Sequence, residues 1–130
     1  MNRSTVSAAA EGGEQSGARL YLLQGAPAVG KLTLARELEA RTGAIVVDNH
    51  LVNNAVFVPL GMGRDAEVTL EQTDALRARV LDVVLEATLA APAALSHVFT
   101  NWLPDDPANA AHVERLRELA RRRGARFVPV

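Results

Sequence analysis

A chain of 130 residues, 48% of them hydrophobic, holds enough apolar side chains for one compact core and too few residues to expect a second domain. Fourteen basic against fifteen acidic side chains leave a formal net charge of -1, which gives no broad positive field for nucleic acid or an anionic membrane. The lack of cysteine excludes disulfides, thiolate zinc sites and a cysteine nucleophile, and no apolar run reaches the roughly 20 residues that cross a bilayer, so a cytoplasmic protein is expected.

Residues 1–18 are small and polar, with glycines at 12, 13 and 17, and are expected to form a disordered leader before a domain spanning 19–130. Arg19 to Gln24 is a short apolar run ending at a Gly/Pro cluster, which reads as a strand running into a loop. From Lys31 the spacing turns helical, with Leu34, Ala35 and Leu38 on one side, until Gly43 stops it. Ala44 to Asp48, short and β-branched, predicts a fully buried parallel strand.

Residues 49–65 contain Pro59, Gly61 and Gly63 and show no clear period, so a loop is expected there. Leu76, Val80, Val83, Val84 and Ala87 recur at spacings of three and four and predict a long helix over 67–90. Pro92 breaks it, and Ala94 to Asn101 supplies a third strand that opens into a Pro/Asp turn at 104–107. Asp106 before Pro107 resembles an N-cap and first helical position, and the helix closes at Gly124. Arg126 to Val130 begins a fourth strand. Strands alternating with helices imply an α/β fold: a parallel sheet between layers of helices, joined by right-handed crossovers.

The pattern G-x-x-x-x-G-K is complete at Gly25, Gly30 and Lys31, between a predicted strand and a predicted helix. Glycines at the ends of such a loop let successive N–H groups point inward at phosphate oxygens, and the following helix adds its own unpaired N–H groups and dipole. Lys31 adds an ammonium where β- and γ-phosphates would lie, a compact point charge unlike arginine's planar fork. It is the only lysine, all thirteen other basic side chains being arginine. The alternative is a glycine-rich turn before a surface helix. Leu32 stands where Ser or Thr usually ligates magnesium, and Thr33 follows one residue later.

The stretch Gly25, Ala26, Pro27, Ala28, Val29, Gly30, Lys31, Leu32, Thr33 resembles the loops of adenylate-kinase-like P-loop kinases, with Pro two residues after the first Gly and a Gly-Lys-any-Thr ending. That group includes shikimate and gluconate kinases. The form G-x-P-A-V-G-K-x-T followed by Asn49 and His50 is most similar to uncharacterised ATP-binding proteins of the group. The resemblance implies a three-layer P-loop NTPase sandwich and binding of ATP by the nine loop residues. It also implies Mg2+ held through water, with no direct protein ligand to the metal, and γ-phosphoryl transfer to a small hydroxylated acceptor. The group continues past its fourth strand with an arginine-bearing lid and an adenine-packing segment, so the sequence is expected to be the N-terminal part of such a domain.

Ligands of open parallel sheets bind beyond the carboxyl ends of the strands, which places Asp48, Asn49 and His50 on the rim shared with the loop. Asp48 is a candidate to orient an acceptor hydroxyl or take its proton, or equally a strand-ending cap. Thr100, Asn101 and Trp102 end the third strand without an acid, and Asp105 follows further on. Arg77 and Arg79 face solvent or a substrate anion, and Arg121 to Arg123 suit the negative end of a helix dipole. His97 and His112 have no companion at metal-ligand spacing. A small-molecule kinase with Lys31 and Asp48 in catalytic roles is the leading expectation. A non-catalytic nucleotide-binding module and an inactive remnant are the rivals.

Overall fold

The protein is described by a computed structural model over residues 17–25, 30–64, 67–101 and 107–130. The elements run β1 (Arg19–Gln24), α1 (Lys31–Thr42), β2 (Ile45–Val47), α2 (Asn49–Leu60), a 3-10 turn (Glu71–Thr73), α3 (Asp74–Ala90), β3 (His97–Asn101), α4 (Pro107–Arg123) and β4 (Arg126–Pro129). The four strands form one sheet in the order β2-β3-β1-β4, and every pair is parallel. The expected α/β architecture with helices against a parallel sheet is therefore present.

Alternation along β1 divides the core between two faces. Leu20 and Leu22 point into the larger cluster with Phe99, Leu85 of α3, and Leu116, Leu119 and Ala120 of α4. Leu23 points the other way, onto Ala35 of α1, Ala44 and Val98. Helices thus cover both faces. Topology requires this: the β1-to-β2 connection leaves β1 on one side and the β3-to-β4 connection crosses to the other, so right-handed crossovers put α1 and α4 on opposite faces.

Three expectations are corrected. The loop expected over 49–65 is helix α2 for most of its length, bracketed by Asp48, whose carboxylate accepts the His50 N–H, and by Gly61, left-handed at φ 74°. Local periodicity missed it because Asn and β-branched residues are weak helix formers and Pro59 falls inside the last turn. The strand expected over 44–48 shrinks to three residues at a sheet edge, with Ile45 41% exposed instead of fully buried. The long helix begins at Asp74, after the 3-10 turn, instead of near Glu67. Ala18 is buried and its carbonyl accepts the Arg126 N–H at 3.0 Å, extending the pairing of β1 with β4 by one residue.

Candidate functional site

The strand order creates a crevice at the carboxyl ends of β1 and β3. These neighbours send their outgoing connections in opposite directions, β1 toward β2 and β3 toward β4, which is the switch point where open α/β sheets bind ligands. The register sets Gln24 beside Asn101 and Leu23 beside Thr100, so the segment leaving β1 starts next to two buried polar side chains.

Beyond β1 the chain passes Gly25. Ala26, Pro27, Ala28 and Val29 lie outside the described residues. Gly30 takes φ 85°, a left-handed value that side-chain-bearing residues resist, and turns the chain directly into α1. No side chain caps this helix and no acid stands in its first turn. The first helical bond runs from the Leu34 N–H to the Gly30 carbonyl at 2.9 Å. The N–H groups of Lys31, Leu32 and Thr33 precede the point where α-helical bonding begins, and the dipole adds partial positive charge there. The Lys31 Nζ donates to the Gly25 carbonyl at 3.0 Å. Leu32 and Thr33 are exposed at the helix start.

A second polar group stands at the end of β2. Asp48 Oδ1 accepts the Thr100 hydroxyl at 2.8 Å and the His50 N–H at 3.4 Å, while Oδ2 lies 3.5 Å from the His50 ring Nδ1. Thr100 in turn accepts the Asn49 N–H at 3.0 Å. Its one hydroxyl hydrogen goes to the carboxylate, the contact to Asn49 Oδ1 being longer at 3.2 Å. Partial burial pushes the Asp48 carboxyl up, but the hydrogen bonds from Thr100 and His50 and the nearby imidazole outweigh it and hold the group below the ordinary carboxylate value. Asp48 is thus an ionised cap. Asn101 Nδ2 donates to Asn109 Oδ1 at 3.2 Å, tying β3 to the start of α4.

Strands lie roughly 4.8 Å apart, so with β3 between them β2 and β1 bring Asp48 and the loop to the same rim at about 10 Å spacing. Sequence reasoning reached most of this rim. It missed the face of α2, where Asn54, Ala55, Val58 and Pro59 line a recess with Asp48 and His50. The available signal was the Asp48 cap paired with Gly61. Trp102, Asp105 and Asp106 lie outside the described residues.

The remaining candidates are placed elsewhere. Arg77 donates to the Thr73 hydroxyl at 2.8 Å, pairs with Asp74 and lies over the Phe57 ring, so it braces α3 against α2. Arg121 pairs with Glu118. Arg123 is buried 28–35 residues along the chain from its partners: Nη1 donates to the carbonyls of Thr88 (2.6 Å) and Ala91 (3.1 Å), and Nη2 to those of Pro92 (3.2 Å) and Leu95 (2.7 Å). His97 is buried with Nδ1 unpartnered, and burial, reinforced by the Arg123 charge, lowers its pKa to about 4. Among the described residues no three His, Asp or Glu side chains gather as a metal cluster. None of the helices among them is long and apolar enough to cross a membrane.

A crystal structure of a "putative kinase" from Chloroflexus aurantiacus shares this fold. It superposes with a TM-score of 0.63 at 18% sequence identity over 86% of the present chain and 56% of its own. The chain therefore spans little more than half the length of that protein. No protein-family model matches the sequence. No curated protein matches it either.

Proposed function

We propose that the loop from Gly25 to Thr33 is a P-loop and that the protein is an ATP-binding kinase of small hydroxylated molecules. The observation that carries this reading is the setting of the only lysine. Lys31 opens a helix with no side-chain cap among the described residues, directly after a left-handed glycine, at the switch point of a parallel sheet, and its ammonium donates to the Gly25 carbonyl. Loop amides and the α1 N-terminus would hold the phosphates, with Lys31 on the β- and γ-phosphoryl oxygens. The fold shared with the Chloroflexus protein is in keeping with this reading.

Transfer joins the acceptor oxygen to the γ-phosphorus as the bond from that phosphorus to the β,γ-bridging oxygen breaks; ADP leaves with the electron pair of that bond, and the hydroxyl proton passes to solvent as the new O–P bond forms. Because the transition state is loose, positioning and charge stabilisation matter more than a strong base. Asp48 suits that demand: ionised and held by the Thr100 hydroxyl and the His50 N–H, it is a poor proton acceptor and a good orienting anchor for a hydroxyl at the rim. Residues at the helix start fit Mg2+ held through water, since Leu32 brings no oxygen where a ligating hydroxyl would stand. Bound there, the ion would neutralise charge on the β- and γ-oxygens.

The test is calorimetric titration of the chain with Mg-ATP, followed by phosphoryl transfer from labelled ATP to a panel of small alcohols. Both are expected to be lost in Lys31→Ala. Binding that survives that substitution would reject the loop assignment. The engaged state of Asp48 also favours a second reading, a nucleotide-binding module without catalysis. Lys31-dependent binding of ATP with no transfer to any acceptor would select it.

A further inference from the structure

Helix α2 keeps an apolar face that the core does not use. Leu51 is 58% exposed and Val58 71%, although both lie on a helix whose Val56 is buried. Their recess, about 570 Å³, begins at Asp48, His50 and Asn54 and runs along Ala55 and Pro59. A second recess of about 390 Å³ shares those same two residues and continues between α2 and α3, over Val56, Leu60, Leu76, Val80 and Val83. Ala55 and Pro59 border both recesses, which lie side by side along α2 as a shallow trough, polar at the rim of the sheet and apolar beyond it.

The polar end offers acceptors. Asp48 is ionised and Asn54 brings an amide oxygen. The remaining walls are aliphatic except for Arg79, which forms no ion pair among the described residues. A polyol laid along this trough would press several hydroxyls against Leu, Val and Pro side chains with nothing to bond. A hydroxy acid short enough to stay in the Asp48 recess would bring its carboxylate up to that charge, Arg79 lining only the other recess.

We propose that the trough is the acceptor subsite and that it takes an alcohol with an apolar body, the hydroxyl lying at Asp48 and the body along α2 and α3. This rests on the kinase reading above and adds the substrate class to it. Each recess, about 570 and 390 Å³, falls within the roughly 300–1,000 Å³ of small-molecule sites.

The test uses the full chain and 3-phenylpropan-1-ol as probe, with xylitol and gluconate as the polyol and hydroxy acid. Ligand-detected saturation-transfer NMR is expected to show binding of the phenylpropanol alone. Val83→Glu, at an exposed position, and Ala55→Trp should each weaken it about tenfold or more, by setting a charge or a bulky ring in the trough. Circular dichroism confirms that each variant folds. Labelled ATP is then expected to phosphorylate the phenylpropanol in a Lys31-dependent manner.

Lys31-dependent transfer to xylitol or gluconate in preference to the phenylpropanol would overturn the proposal and leave the kinase reading standing. Phenylpropanol binding that both variants abolish, with no ATP binding by the chain, would uphold the apolar-alcohol site and reject the kinase. Absence of phenylpropanol binding overturns the proposal. So does a dimer that Val83→Glu dissociates without any alcohol binding, because the face would then be covered by a second copy.

Discussion

The two ends of the parallel sheet use polar side chains in opposite ways. At the amino ends of the strands, the Arg123 guanidinium is enclosed by four carbonyls from the end of α3 and the turn before β3, and the Ser96 hydroxyl accepts the Arg19 N–H at 2.9 Å. Donors there are spent on closing the chain upon itself. At the carboxyl ends, Lys31 opens a helix with no side-chain cap, and Asp48 sits at a recess with part of its surface open. One end is closed on itself, and the other is the end to which the proposed function assigns the ligand. Substitutions at the amino end should therefore change unfolding, and those at the carboxyl end should change binding.

The largest expected effect is at Arg123. Arg123→Met keeps most of the apolar stem but leaves several carbonyls without donors, and should cost about 3 kcal/mol or more in urea unfolding, since hydrogen bonds to a charged group are worth roughly 1.5–3 kcal/mol each. Arg123→Lys should recover part of this, since one ammonium cannot span four carbonyls as the planar fork does. A loss below about 1 kcal/mol for Arg123→Met, the size of a single ordinary hydrogen bond, would break the contrast between the two ends.

His97 sharpens it through pH. Its folded pKa of about 4 lies below the ordinary 6.5, because burial and the Arg123 charge both disfavour the imidazolium. Between those values the unfolded chain binds a proton that the folded chain does not, so stability rises with pH across the window and falls on acidification from 6.5 toward 4. The full span is worth on the order of 3 kcal/mol. Urea unfolding of His97→Gln from pH 4 to 7 should show a flatter slope than the parent. Some slope should persist, because burial and Arg115 lower His112 in the same direction. An unchanged slope would mean that His97 is not held neutral by its surroundings.

What could be read from the sequence divides along the same line. The bounds of β1 and α1 were legible because Gly25, Gly30 and Gly43 punctuate them and the apolar spacing between changes from run to helix. The rim followed, since a parallel sheet places every loop after a strand on one side. Arg123 was legible only as a cation at a helix end. Its partners are carbonyls 28–35 residues away, and backbone acceptors leave no mark in a sequence. Helix α2 was hidden for a related reason: its face rests on α3, and Arg77 over Phe57 is a tertiary contact that propensity does not encode. The edge position of β2 depends on strand order, which spacing along the chain does not fix.

At the carboxyl end, Lys31→Ala should leave stability within about 1 kcal/mol of the parent, since it removes a partly buried hydrogen bond to Gly25 and little packing. Under the proposed kinase function, Mg-ATP affinity or turnover should fall about 100-fold or more, the usual consequence of deleting one preorganised charge at a transferring phosphoryl group. Lys31→Arg should not restore it, because the broader fork does not replace a point charge in a tight loop. Equal losses of stability and binding would remove the distinction between the ends.

The smallest effect is expected at Thr100, which belongs to both descriptions: it is buried, yet it fixes the carboxylate at the rim. Thr100→Val preserves shape while removing the donor to Asp48 and the acceptor for the Asn49 N–H, and should cost about 1–2 kcal/mol near neutral pH. With that donor gone, the Asp48 carboxyl rises toward its ordinary 3.8. A depressed carboxylate contributes stability above its unfolded pKa and loses it as pH falls through the folded value, so the parent should lose this part only below about 3.8. The variant should therefore be flatter there, while its slope between pH 4 and 6.5 stays as in the parent because His97 is untouched. Carboxyl chemical shifts followed by NMR titration would report Asp48 directly. An Asp48 titration unmoved by Thr100→Val would show that the helix N-terminus and His50 hold the carboxylate on their own, and Thr100 would then belong with the structural end of the sheet.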